Sequence, residues 1–208
     1  MKIQIPSKEN IKATNEEDPL KYYYLPVIKW FYLNRLEMVL NLIGKERKQR
    51  VLEIGYGSGI LFPELKKRFE EIYGIDIHNK TDLVYNMLKK EGIESSLKVG
   101  NILDLPYPDN NFDCIVCISV LEHILDLDKA TQEIKRVLTP GGKAIIGFPN
   151  VNKAMNFLFK IIGFEGIEKH HVSSPFEIIS SMEKKFIFEG KKSFWSLYFA
   201  YKYKKDEV

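Results

Sequence analysis

The sequence is poor in cysteine, with two in 208 residues, and its 13 glycines and nine prolines are ordinary for its length. These counts exclude a disulfide scaffold, a collagen-like chain and a low-complexity chain. The longest clean apolar run, 114–121, has eight residues, well short of the roughly 20 that a membrane-spanning helix needs. The N-terminus also lacks the apolar stretch of a signal peptide, so we expect a cytoplasmic protein.

Concentrated positive charge is also missing. Basic residues exceed acidic residues by only three, 31 against 28, and 26 of the basic residues are lysine. Nucleic-acid-binding proteins usually concentrate basic charge and use arginine for bidentate contacts. We therefore expect no nucleic-acid partner, and the composition does not indicate an oligomeric state.

Cys114 and Cys117 form a C-x-x-C pattern, which is found in redox and zinc sites. They lie in a segment that is typical of a buried strand, where residues three apart face opposite sides of the sheet. The two thiols therefore cannot share a metal ion or easily form a disulfide. We interpret them as two core cysteines.

The N-terminal region, 1–46, is predicted to form an arm and capping helices, and residues 47–208 the main part of a single domain. Residues 1–19 are polar and are expected to be a loose arm. An apolar stripe then predicts a helix that stops at Gly44.

Strands and helices alternate after this region. The predicted strands are 50–54, 71–77, 96–100, 113–119 and 143–148, and the predicted helices are 60–69, 81–91 and 127–138, the last closed by a turn at 139–142. This alternation predicts right-handed βαβ units, and hence a parallel sheet with helices on both faces.

The last third departs from this rhythm. Helices are predicted at 152–164 and 174–184, followed by a hairpin of 185–189 and 193–203 around 190–192. The sheet should therefore end in an antiparallel pair. The first of these helices is unusually apolar, which leaves open a buried lid, a wall of an apolar substrate pocket and a contact with a membrane surface.

The most informative stretch follows the predicted strand 50–54. Gly55, Gly57 and Gly59 alternate with other residues before a predicted helix, and Asp76 ends the next strand 21 residues after Gly55. Glycines allow a tight turn and close approach of a ligand to the backbone, and a carboxylate at this distance can bind ribose hydroxyls. The two elements together predict a site for an adenosine-type ligand.

The details of the loop discriminate between two such ligands. A dinucleotide site usually has G-x-G-x-x-G, but Ile60 stands where the third glycine of that pattern belongs. Glu53, two residues before the first glycine, would repel a pyrophosphate and attract an amino group or a cationic sulfonium. The loop therefore favours S-adenosylmethionine over NAD.

The sequence resembles the class I S-adenosylmethionine-dependent methyltransferases, and most of all their small-molecule type 11 branch. The resemblance covers roughly residues 48–150 and is carried by segments 53–59, 74–76, 100–113, 119–124 and 138–142. It implies an α/β, doubly wound (Rossmann-like) fold with a seven-stranded, mostly parallel sheet of order 3-2-1-4-5-7-6. The predicted terminal hairpin agrees with that fold.

The resemblance also implies a set of cofactor-binding residues: Glu53, Gly55, Tyr56, Gly57, Gly59, Asp76, Ile77, Asn101, Ile102 and Val120. In this set the glycines line the methionine moiety, Glu53 holds its amino group, Asp76 binds the ribose and Ile77 packs on the adenine. Asn101 stands where the family usually has Asp, and its carbonyl can still accept a hydrogen bond from adenine. Tyr56 replaces the usual small residue inside the loop.

Candidate residues for the chemistry are fewer. His123 is a possible general base, with a structural or pocket-lining role as the alternative. Tyr24, His170 and His171 are candidates for substrate contact, and each of them could equally have a packing role. Four histidines without H-E-x-x-H or a similar spacing predict no metal site.

We therefore expect methyl transfer from S-adenosylmethionine to an O, N or C nucleophile of a small molecule, which includes lipids and saccharides. Such a reaction depends mainly on positioning and desolvation, so a strong catalytic residue is not required. The alternatives are a catalytically silent S-adenosylmethionine-binding module and, less favoured by the loop, an NAD-dependent oxidoreductase.

Overall fold

The structure is a computed structural model that describes residues 3–16, 18–44, 47–150 and 171–207. Its strands are β1 Lys48–Ile54, β2 Phe69–Asp76, β3 Ser96–Val99, β4 Phe112–Ile118, β5 Leu138–Pro149, β6 Ile187–Phe194 and β7 Tyr198–Lys204. Its α-helices are α1 Pro26–Ile43, α2 Phe62–Lys66, α3 Thr81–Lys90, α4 Leu127–Val137 and α5 Pro175–Glu183, and short 3₁₀ helices cover Pro19–Tyr24 and Leu121–His123. The apolar helix predicted at 152–164 and His170 lie outside the described residues.

The seven strands form one sheet of order β3-β2-β1-β4-β5-β7-β6, which confirms the predicted topology. The pairs from β3 to β5 are parallel, and β7 is antiparallel to both β5 and β6. The strand order reverses between β1 and β4, and open α/β sheets bind ligands at the carboxyl ends of the strands beside such a reversal.

Two hydrophobic cores lie on the two faces of the sheet. One packs α1, α2 and α3 and includes Cys114, while the other packs α4 and α5 and includes Cys117. Both thiols are free and fully buried, as expected for residues three apart in a strand. Burial also raises the pKa of the Cys114 thiol to about 12, so this thiol stays protonated at neutral pH.

Three of the described helices, α1, α4 and α5, begin or end close to where the sequence predicts. Gly44 ends α1 with a φ of 90°, and the Asp126 side chain caps α4 by accepting from the amide of Lys129. Ser174 and Glu177 form a reciprocal capping box at the start of α5. None of the described helices combines the length and the hydropathy that a membrane span requires.

The first helix after the glycine loop and the turn before β5 differ from their predicted bounds, because some of their residues pair in the sheet instead. The helix predicted at 60–69 is only five residues long, since Lys48 donates to the carbonyl of Arg68 and pairs with Phe69 at the start of β2. The turn predicted at 139–142 lies inside β5, which pairs at Leu138 and again from Lys143 across a bulge. Strand pairing at the ends of these elements thus shortens one helix and lengthens one strand.

The terminal hairpin is confirmed, but its turn is not at 190–192, where Gly190 indicated it. The chain reverses at Trp195 and Ser196, which have φ values of 45° and 53°, and Leu197 donates to the carbonyl of Phe194. Two consecutive positive φ values are typical of a type I′ turn, which matches the twist of a hairpin. Gly190 lies instead at a register shift within β6.

The N-terminal arm is not loose. Ile11 and Thr14 are buried, and the amide of Gln4 donates to Glu64 of α2. The side chain of Asn10 donates to Glu91 at the end of α3. The arm therefore packs on the helices that flank the glycine loop, and α1 in turn packs on β5, β6 and β7.

Candidate functional site

The glycine loop leaves β1 at the reversal of strand order. Gly55, Gly57 and Gly59 have φ values of 74°, 49° and 77°, a region that other residues adopt at a cost. A Cβ on Gly55 would lie 2.2 Å from Cγ2 of Val120, whereas a Cβ on Gly57 would meet no atom within 4 Å. Gly55 thus packs against the end of β4, and the backbone at Gly57 faces open space.

Asp76 ties this loop to the end of β2. Its Oδ2 accepts from the amide of Gly57 at 2.8 Å, and its Oδ1 accepts from the amide of His78 at 3.2 Å. The Asp76 side chain is 12% exposed. A carboxylate with two oxygens has about four acceptor positions, so acceptor positions remain for a ligand.

His78 is a site residue that the sequence reasoning missed. Its Nδ1 accepts from the amide of Lys80 at 3.1 Å, and its Nε2 lies 3.0 Å from the carbonyl oxygen of Gly57. Because Nδ1 accepts, Nε2 carries the proton and donates to Gly57. The available signal was a polar residue two positions after Asp76, which is too general to predict this contact.

Glu53 lies in β1 and is buried, with 4% of its surface exposed. Its Oε2 has no hydrogen-bond partner among the described residues. Burial, and secondarily the charge of Asp76, raises the pKa of the Glu53 carboxyl well above its usual range. A cationic donor next to this carboxylate would satisfy the buried oxygen and favour its ionised form.

Tyr56 contributes backbone to the loop, while its side chain packs in the core. Its carbonyl accepts from the amide of Gly59. Its ring contacts the rings of Phe62 and His78, and its hydroxyl lies 3.4 Å from Oγ1 of Thr81. The bulky side chain therefore occupies space beneath the loop, where the family usually has a small residue.

Apolar side chains extend from the ends of β2 and β3. Ile77 is 77% exposed and Val99 is 54% exposed. Asn101 is exposed, and its Oδ1 accepts from the amide of Leu103 at 3.0 Å. Ile102 is buried in the second core. Ile77 and Val99 offer apolar surface for a flat ring, and Val99 was not predicted.

The end of β4 carries the second half of the site. Ser119 has a φ of 55° and its Oγ lies 3.2 Å from the hydroxyl of Tyr198. Glu122 follows and is 2% exposed, with no hydrogen-bond partner of good geometry for either carboxylate oxygen among the described residues. Burial raises the pKa of Glu122 to about 8 against the opposing effects of its own amide, Arg35 and Ser119.

The predicted substrate residues do not all lie together. The rings of His123 and His171 are in edge contact at 5.1 Å between centroids. The hydroxyl of Tyr24 donates instead to the carbonyl of Pro6 in the arm, and burial together with the charge of Glu91 raises its pKa to about 12. The structure therefore brings His123 and His171 together and places the hydroxyl of Tyr24 against the arm.

The site fits S-adenosylmethionine in three observed features. A buried, unpartnered oxygen of Glu53 suits an ammonium group, Asp76 has acceptor positions for hydroxyls, and the backbone at Gly57 has no Cβ to fill the open space. Two carboxylates beside the loop are unfavourable for the pyrophosphate of a dinucleotide.

Comparison with known proteins agrees with this geometry. Residues 52–146 match a family model described as a methyltransferase domain. The chain is 30% identical over 135 residues to a ubiquinone biosynthesis O-methyltransferase of Alkalilimnicola ehrlichii, covering 63% of this chain and 53% of that protein. It spans about half the length of the curated relatives it matches.

Two solved structures share the fold. The PH0226 protein from Pyrococcus horikoshii OT3 has a TM-score of 0.74 at 19% identity, covering 90% of this chain and 96% of that one. The N-methyltransferase NodS from Bradyrhizobium japonicum, in complex with S-adenosyl-L-homocysteine, has a TM-score of 0.67 at 17% identity, covering 93% and 94%.

The sheet order and the acid-flanked glycine loop define a class I, S-adenosylmethionine-dependent methyltransferase fold. Within that class, residues 52–146 match the family model of a methyltransferase domain, in agreement with the sequence resemblance.

Proposed function

We propose that this chain transfers a methyl group from S-adenosylmethionine to a nucleophilic atom of a small molecule. The observation that carries the proposal is the buried carboxylate of Glu53 next to the open glycine loop. A buried carboxyl oxygen without a partner is costly, and a cationic ligand would satisfy it and favour the ionised form, which an anionic ligand would not do.

Different residues of the chain bind different parts of the cofactor. Glu53 accepts hydrogen bonds from the amino group of the methionine end, and Asp76 accepts from the ribose hydroxyls. Ile77 packs on the adenine, and Asn101 accepts from its amino group. When bound, the cofactor supplies an electrophilic methyl group on a positively charged sulfur.

The acceptor approaches from the end of β4. Val120 contacts Gly55 and lies beside the methyl group, and His123 and His171 follow on the same side. In this proposal His123 receives the proton of an acceptor hydroxyl or amine, and positioning supplies most of the rate enhancement. Relatives in the comparison are named as O-, C- and N-methyltransferases, which supports a small-molecule acceptor with an O, N or C nucleophile.

Calorimetric titration with S-adenosylhomocysteine tests the cofactor site, with NADH as the comparison ligand. We expect saturable binding of the first and none of the second at the same concentration. Asp76→Ala should weaken binding at least about tenfold, because it removes two backbone contacts as well as the ribose acceptor. Glu94→Ala, which removes an exposed acid, is the matched control and should bind like the unchanged chain.

Transfer itself is tested separately. The chain is incubated with S-adenosylmethionine carrying a labelled methyl group and with a fractionated extract of small molecules. The proposal predicts label in one or a few products and stoichiometric S-adenosylhomocysteine. Tight binding without transfer to any fraction would favour the catalytically silent module instead.

A further inference from the structure

Three metal-ligand side chains meet at the acceptor end of the site. One ligand atom each from Glu122, His123 and His171 lies within 4.8 Å of the other two. Both carboxylate oxygens of Glu122 are buried without a hydrogen-bond partner of good geometry among the described residues, although the side chain is 2% exposed. A buried carboxylate beside two imidazoles is a group that a cation would complete.

The backbone holds these residues together. The carbonyl of Glu122 accepts from the amides of Val172 at 2.8 Å and Ser173 at 3.1 Å, and Oγ of Ser173 donates to the carbonyl of Ile124 at 2.6 Å. Three hydrogen bonds thus fix the residues that follow His171 against the turn that carries Glu122. These bonds keep the two segments that carry the ligand side chains next to each other.

We infer that Glu122, His123 and His171 form a binding site for one divalent transition-metal ion. Two imidazoles and one carboxylate are the ligand set of several catalytic zinc sites, and three protein ligands leave a position open for an oxygen ligand. With bonds of about 2.1 Å, tetrahedral ligand atoms lie about 3.4 Å apart. Rotation of the two imidazoles, of which His123 is exposed and His171 half-buried, closes the remaining distance.

The position of the site suggests its role. His123 donates its amide to the carbonyl of Val120, and Val120 packs on Gly55 of the glycine loop. The open ligand position is therefore close to the transferred methyl group, where it would orient an acceptor oxygen. This role rests on the proposed function, whereas the existence of the metal site does not. An imidazole bound to a metal cannot accept a proton through the same nitrogen, so the site replaces the general-base role of His123 in the metal-loaded protein.

Calorimetric titration of the chelator-treated full chain with Zn²⁺ tests the inference. We expect one ion per chain, and Co²⁺ in its place should give visible absorption bands typical of nitrogen and oxygen ligands. His171→Ala and Glu122→Gln should each lower the affinity at least about tenfold, since loss of even an outer-shell contact costs 10–100-fold. Glu183→Gln, on the exposed end of α5, should bind like the unchanged chain.

The two thiols do not complicate the assay, because Cys114 and Cys117 are fully buried. Absence of saturable Zn²⁺ and Co²⁺ binding would overturn the inference, and so would unchanged affinity in both His171→Ala and Glu122→Gln. His123→Ala provides an exposed third variant if Glu122→Gln fails to fold. S-adenosylhomocysteine binding is measured in the same samples: metal binding without cofactor binding refutes the proposed function alone, and the reverse refutes only the metal site.

Discussion

At the scale of single residues, the spacing of glycines and acids predicted which side chains meet. Asp76 lies 21 residues after Gly55, so a parallel strand pair is needed to bring it beside Glu53 and Gly55, and the βαβ rhythm supplies that pair. The contacts of His78 and the grouping of Glu122 with His171 could not be predicted. The second depends on hydrogen bonds between segments about fifty residues apart, for which local spacing has no signal.

Glu53 should make the stability of the ligand-free chain pH-dependent. Its folded-state pKa is raised above the unfolded value of about 4.3, so the folded state binds more protons in the interval between the two values. The free energy of unfolding therefore falls as the pH rises through that interval. Denaturant unfolding from about pH 5 to about pH 8 should show this fall, to which Glu122 with its raised pKa also contributes, so Glu53→Gln should make the fall smaller than in the unchanged chain.

The same carboxyl links proton binding to cofactor binding. A bound ammonium group favours ionised Glu53, so S-adenosylhomocysteine should release a proton when it binds to a partly protonated site. Calorimetry in two buffers with different ionisation enthalpies measures this release. Equal binding enthalpies in both buffers for the unchanged chain would contradict the assignment, and Glu53→Gln is expected to show that equality.

His78 should act as a positioning residue for the glycine loop. His78→Ala removes the hydrogen bonds to Gly57 and Lys80, and we expect a loss of about 1–2 kcal/mol in the free energy of unfolding. The affinity for S-adenosylhomocysteine should fall at least about tenfold, because the loss of the His78 contact leaves, among the described residues, only the hydrogen bond to Asp76 to hold Gly57 in place. Asn79→Ala alters an exposed neighbour and should change neither value; an unchanged affinity in His78→Ala would refute the positioning role.

At the scale of elements, the order of strands was predicted better than the ends of elements. Periodicity finds a strand or helix, but the residues at its ends are decided by pairing with neighbours that lie far away in sequence. The glycine at 190 indicated a turn, yet cross-strand packing of Phe194 and Tyr198 extends β6 and β7 beyond it. Trp195 then occupies the turn because its ring packs against Trp30 and Phe194.

The turn itself provides a test at this scale. Ser196 has a positive φ, which costs a non-glycine residue roughly 1 kcal/mol. Ser196→Gly removes this strain but increases the freedom of the unfolded chain, so we expect a stabilisation between zero and about 1 kcal/mol. Ser193→Gly, in the adjacent extended strand β6, should instead destabilise by about 0.5–1 kcal/mol. Denaturant unfolding compares the two, and equal signs would show that the turn is unstrained.

At the scale of the whole molecule, composition and rhythm predicted the doubly wound sheet, while the position of the N-terminal arm was missed. The arm is polar over most of its length, and the buried Ile11 has no periodic apolar partners nearby in the sequence to indicate its burial. The hydrogen-bond partners of the arm are Glu64 and Glu91, which lie on other elements. Polarity alone therefore suggested a loose segment where long-range contacts produce a packed one.

Ile11 decides whether the arm belongs to the cooperative unit. The side chain is 5% exposed and packs in the core with α1, α2 and α3, so Ile11→Ala should lower the free energy of unfolding by about 2–4 kcal/mol through lost burial and the cavity left behind. Lys12→Ala, at the neighbouring exposed position, should change it by less than about 0.5 kcal/mol. Denaturant unfolding of the full chain gives both values. If the arm unfolds independently of the sheet, Ile11→Ala will behave like Lys12→Ala; a large difference between them makes the arm a structural support for the helices around the glycine loop.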